Sequence, residues 1–247
     1  MSAEAPVMAR DNRWVDVYVG AARYIGCGLV AGLISGALVG GVGGRLAMFL
    51  LRLTSSPSLK GAETDDGFII GSFTGDTAFL VAAMTALGAA SGLFYATVRT
   101  WFPNGHGRMW LTALLAGSTG GAVFLRPGGP DFTLIEPLWL AVLLFVALPA
   151  AHGIAVSVVA ERLVRADNHS RWWLIALLPV SVLTIGMFGP AGVLITAAIW
   201  ALIAVNRSGS VENVWRSAPV RIVGLVVLAL LVVVAGVDLV RDAVEIL

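Results

Sequence analysis

The chain has 247 residues, 58% of them hydrophobic and only 13% charged, with a net charge of +1 and a mean hydropathy of +0.89. Soluble domains carry about a quarter charged residues, so a water-soluble globule is excluded. The near-neutral balance also excludes bulk electrostatic binding of nucleic acid.

Fifteen arginines against one lysine (Lys60), with abundant Ala, Val and Gly, point to a GC-rich bacterial genome. The single cysteine, Cys27, rules out an intrachain disulfide and a multi-cysteine metal site. Apolar runs of the length that crosses a hydrocarbon core, roughly 17–25 residues, alternate with short charged segments. The predicted fold class is therefore all-α: a polytopic integral membrane helical bundle, with residues 1–247 forming one transmembrane domain.

Residues 1–20 are polar and are placed in the cytoplasm. The apolar stretch after them is far longer than the core of a signal peptide and no clear cleavage pattern follows it, so it reads as retained. This first span, 24–51, contains GLVAGLISGALVGGVGG, with Gly28, Gly32, Gly36, Gly40 and Gly44 at every fourth position. Glycine is among the poorest helix formers, so five on one face need a reason. In lipid, helices associate through packing contacts, and small residues four apart let two backbones approach closely. The second span carries Gly88 and Gly92, and the third carries Gly117 and Gly121. Spans 1, 2 and 3 are expected to close on one another along these glycines. Two other readings compete: a glycine-lined homo-oligomeric interface or pore, and glycines that admit a lipid or cofactor tail. Arg45 ends the stripe. It lies 21 residues beyond Tyr24, about 32 Å of helix, and is expected near the outer interface, snorkelling or paired with an acid of the next loop.

That loop, 52–76, is the longest, and its acids Glu63, Asp65, Asp66 and Asp76 flank a short apolar patch at Phe68–Ile70. Asp131 and Glu136 in RPGGPDFTLIEP add to an acidic outer face. Converging carboxylates can bind calcium or magnesium or draw in a cationic solute, so Glu63, Asp65, Asp66 and Asp76 are candidate metal ligands. Arg45 and Asp131 are candidate members of an outer-face site. Against this, ETDDG lacks the alternating ligand spacing of an EF-hand, and nearby basic residues fit ordinary ion pairs and solvated turns.

Spans 77–98, 109–125 and 137–160 follow. The last holds His152, the only histidine inside a span, three residues after Pro149. The plain reading is a hydrogen bond to a neighbouring helix or to the carbonyl that Pro149 leaves free. The functional readings are a haem ligand, a quinone contact or a proton relay. His106 and His169 fall in loops, which disfavours a bis-histidine haem. His152 is thus the one candidate cofactor contact; no cofactor is predicted, and a bound lipid is expected.

Residues 172–205 are ambiguous. One helix of that length would run about 51 Å, well beyond a hydrocarbon core of about 30 Å. Gly189-Pro190 within MFGPAG is a strong turn signal. A hairpin of two spans, 172–188 and 190–205, is favoured over one broken span, and the last span is 219–240. Seven spans with the N-terminus inside place 11 basic residues inside and 5 outside, whereas six give 9 and 7. The excess of cytoplasmic arginine prefers seven, with the N-terminus cytoplasmic and the C-terminus outside.

No Walker loop, GxSxG, HExxH or cysteine–histidine pairing is present, and no internal repeat supports an inverted-repeat transporter. The expected function is a non-catalytic integral membrane subunit or scaffold of the bacterial cytoplasmic membrane, packing with other membrane chains or with copies of itself. The alternatives are an ion or small-solute carrier or channel with an acidic outer vestibule, and an enzyme acting on lipid at the outer interface.

Overall fold

A computed structural model of the chain describes residues 12–56, 75–166 and 210–247, with scattered positions between 173 and 201. The described residues are helical apart from short connections, and no strand occurs among them. Helix α1 (Asn12–Ser35) runs without a break through a wide π-helical stretch, Gly36–Gly43, into α2 (Gly44–Thr54). Then come α3 (Gly75–Val98), α4 (His106–Phe124), the short α5 (Pro130–Thr133), α6 (Leu138–Arg165), α7 (Ser210–Trp215) and α8 (Ala218–Ile246).

By length and composition, four helical segments can cross a membrane: Tyr18–Thr54, Thr77–Val98, Leu138–Arg165 and Ala218–Ile246. The first begins earlier than the apolar run at 24, because the polar stretch before it continues the helix from Asn12. The run at 109–125 does form a helix, α4, of 19 residues. As a helix it takes in His106 and Arg108 before that run, which leaves it less apolar than the four. Thr112 and Ser118 are buried there, and their hydroxyls donate to the carbonyls of Arg108 and Leu115 within the same helix. The spans expected at 172–188 and 190–205 lie outside the described residues, a few isolated positions aside.

Helix directions follow from which residues meet. Gly28 of α1 lies against Gly92 and Ala96, and Gly36 lies against Gly88 and Met84, so α1 and α3 are antiparallel. Ser35 bonds His152, and Thr54 and Ser55 bond the Glu136 carbonyl, so the first helix is antiparallel to α6 as well. Thr112 meets Gly153 and Gly121 meets Val146, which makes α4 and α6 antiparallel. Trp101, just before α4, meets Gly224, and Gly121 meets Leu239, so α8 runs parallel to α4.

The glycines sort differently from the expected three-span core. A Cβ on Gly28 would sit 2.5 Å from the Gly92 carbonyl oxygen, and one on Gly88 would sit 2.6 Å from the Gly36 Cα. These backbones touch because neither carries a side chain. Gly117 and Gly121 instead serve contacts to α6 and α8: Gly117 faces Ala150, and Gly121 faces Val146 and Leu239. Helix α4 packs chiefly on α6 and α8 and α3 chiefly on α1 and the π stretch, while α3 and α4 come together only at the end where Val98 and Leu115 share a small apolar cluster with Phe102. The core of spans 1, 2 and 3 is therefore corrected to two separate pairings. The reason is chemical: a small-residue face admits any close neighbour, and the spacing does not name which one.

Candidate functional site

Because α3 and α4 stand apart along most of their length, a cleft of about 320 Å³ opens between them, with the first helix and α6 closing its sides. On α3 its wall runs from Leu80 to Val98, a rise of about 27 Å at 1.5 Å per residue. Helix α4 contributes Thr112 to Phe124, and α6 contributes Phe145 to Val156. Gly36, Gly40 and Gly44 supply a wall without side chains. The glycine stripe thus divides: Gly28, Gly32 and Gly36 abut α3, whereas Gly40 approaches only Met84, and a Cβ on Gly44 would meet nothing within 4 Å.

His152 lies on the cleft wall at the level where the stripe divides. Its Nδ1 is 2.8 Å from Ser35 Oγ and its Nε2 is 2.7 Å from Ser91 Oγ, which ties α1, α3 and α6 together. Ser91 Oγ can donate to the Gly88 carbonyl oxygen at 2.8 Å, and Ser35 Oγ to the His152 carbonyl oxygen at 3.1 Å. Either neutral tautomer of the ring is satisfied by this set. The partners of His152 are serines of neighbouring helices rather than the carbonyl freed by Pro149. Pro149 packs against α4, with a Cβ on Gly120 falling 2.5 Å from its Cβ.

A second polar centre lies at the end of the bundle where α1 starts and α6 finishes. Glu161 accepts from Arg99 through Nε at 2.9 Å and Nη2 at 3.0 Å, from Arg108 Nη1 at 2.6 Å, and from the Tyr95 hydroxyl at 2.9 Å. All three charged side chains are at least four-fifths buried. Arg108 also donates to Asn104 Oδ1 at 2.7 Å, and the Arg99 guanidinium lies 5.1 Å from the centre of the Tyr24 ring. One carboxylate holding a fork-shaped pair and a second guanidinium is a strong, geometrically specific arrangement. The sequence marks these arginines only as boundary charge and does not single out Glu161. Its signal in the sequence is an acid just past the end of span 137–160, with Arg99 just after span 77–98 and Arg108 just before span 109–125. Nearby, Arg23 reaches the carbonyls of Val164 and Ala166 at 2.8 and 2.6 Å, joining the start of α1 to the end of α6.

The outer-face candidates are largely out of view. Glu63, Asp65 and Asp66 lie outside the described residues, as does the side chain of Asp76. Arg45 is half-buried in α2, nine residues before the helix ends and so about 14 Å of rise below it. Asp131 is buried in α5, beside Phe132 and Ile135, which pack against Leu51 and the start of α6. Among the described residues, no three metal-ligating side chains converge. No family model, no curated protein and no solved structure matches the chain.

Proposed function

We propose that this chain is a non-catalytic integral membrane subunit, a seven-span scaffold of the bacterial cytoplasmic membrane that packs with other membrane chains. The observation that carries this reading is where the buried polar side chains are used. His152 with Ser35 and Ser91, Glu161 with Arg99, Arg108 and Tyr95, and Arg23 with the end of α6 all join one helix to another. Polar groups committed to helix contacts rigidify a bundle. Outward, α8 presents a valine-rich face, including Val226, Val233 and Val237, for lipid or for a partner helix.

Helix directions support the topology. Helix α6 ends, and α8 begins, at the same end of the bundle, which is consistent with an even number of crossings between them. That favours two spans in 172–205 over one. The same end gathers Arg23, Arg99, Arg108, Arg162, Arg165 and Arg221, which supports placing it in the cytoplasm. The test is purification from native membrane in mild detergent with identification of every co-purifying chain. A scaffold brings other chains in fixed stoichiometry; a monodisperse lone protein overturns the reading.

A further inference from the structure

The cleft between α3 and α4 is the space that this packing leaves open. We propose that it holds one acyl chain of an anionic membrane phospholipid, with the headgroup at the arginine-rich end of the bundle.

The wall selects hydrocarbon. Its hydroxyls donate within the wall: Ser91 to the Gly88 carbonyl, Thr112 to that of Arg108, and Thr119 to that of Leu115. Both nitrogens of His152 face serines. A polar ligand group placed here would lose its water and gain no equivalent partner, whereas a methylene chain gains contact with the aliphatic and aromatic lining. The cleft is within the usual size of a ligand pocket, about 300–1,000 Å³. Its length of about 27 Å exceeds the depth of one leaflet, about half of a 30 Å hydrocarbon core, so a single acyl chain can lie wholly within it. It is also open to the bilayer, because Leu87 and Phe94 line it while remaining 55% and 46% exposed. A tail therefore enters sideways from the membrane.

Charge selects the head. Val98, at one end of the cleft, precedes Arg99, and Thr112 stands one turn after Arg108. Around that end Arg23, Arg99, Arg108, Arg162, Arg165, Arg216 and Arg221 outnumber the acids Asp16, Glu161 and Glu212 among the described residues, Glu161 being held by Arg99 and Arg108 and Glu212 by Arg216. Arg108 keeps a buried Nε–H with no acceptor. A surplus of guanidinium at a membrane boundary favours anionic headgroups.

The full chain, reconstituted into nanodiscs of equal phosphatidylglycerol and phosphatidylcholine, is released and weighed by native mass spectrometry. The expected result is one retained lipid per chain, phosphatidylglycerol exceeding phosphatidylcholine severalfold. Ala47→Phe and Leu87→Trp, which add bulk to two different walls, should each reduce retention severalfold. Val237→Phe on the exposed face of α8 should leave it unchanged. Wild-type protein that retains no lipid, or both lipids equally, overturns the proposal. So does full retention by whichever filling variants remain monodisperse. The wild-type arm decides even if both fillings misfold, and it stands whether or not partner chains co-purify.

Discussion

Gly32 and Gly88 lie back to back, so close that a Cβ on either would run into the carbonyl oxygen of the other. The obstruction is main chain on both sides, and a main-chain atom cannot rotate away as a side chain can. Gly32→Ala should therefore push α1 from α3 and destabilise the bundle by about 1–3 kcal/mol, the usual cost of overpacking. Gly44→Ala is the matched control: it belongs to the same stripe, but a Cβ there meets nothing within 4 Å. Relief from glycine's backbone entropy should make it neutral, or stabilising by up to about 1 kcal/mol. Thermal unfolding of the two variants in one mild detergent checks the contrast. Equal shifts would mean that the stripe is not a contact surface at Gly32.

Glu161 is the single acid between Arg99 and Arg108, so removing it should cost more than removing either arginine. Glu161→Gln leaves two mostly buried guanidiniums without a counter-charge, which should destabilise by about 3–5 kcal/mol. Arg99→Gln leaves Glu161 bonded to Arg108 and Tyr95 and should cost clearly less. Denaturant unfolding of both variants tests this order. The reverse order would place the stabilising charge elsewhere.

The length and apolarity of the helices were legible in the sequence, because an apolar run long enough to cross hydrocarbon has almost one solution. Partner choice was not. Gly117 and Gly121 follow the same spacing as Gly28 and Gly32, yet they meet Ala150, Val146 and Leu239, because glycine spacing records closeness without naming a neighbour. Gly153 and Gly224, which have no partner at that spacing, nevertheless allow close contacts, a Cβ on either falling 2.5–2.6 Å from its nearest neighbour. The cleft left no trace in any periodicity, since it arises where two neighbouring helices fail to pack along most of their length. His152 could be located at a helix contact by its depth in the span. Its serine partners, 117 and 61 residues away, could not be found that way.

The His152–Ser35 pair can be measured as a coupling. Each serine keeps a backbone acceptor when the ring is removed. His152→Ala should therefore cost little through unsatisfied groups and mainly through lost contact. In a double-mutant cycle with Ser35→Ala the coupling should lie near the values known for hydrogen bonds between membrane helices, about 0.6–1.7 kcal/mol. Zero coupling would show that the two side chains do not bond in the membrane.

The parallel course of α4 and α8 fixes a labelling pattern that separates seven spans from six. With Cys27 replaced by alanine, single cysteines at His106 and Asn213 mark the starts of α4 and of the segment leading into α8, and Gly128 marks the far end of α4. All three positions are exposed. A membrane-impermeant maleimide applied to spheroplasts should label Gly128→Cys and spare His106→Cys and Asn213→Cys. In inside-out vesicles the pattern should invert. If 172–205 crossed only once, His106→Cys and Asn213→Cys would react from opposite sides. Trp101 and Trp215 could not then stack at 4.7 Å, each indole donating to a carbonyl of the other's segment. That tryptophan pair and the two cysteine positions must stand or fall together.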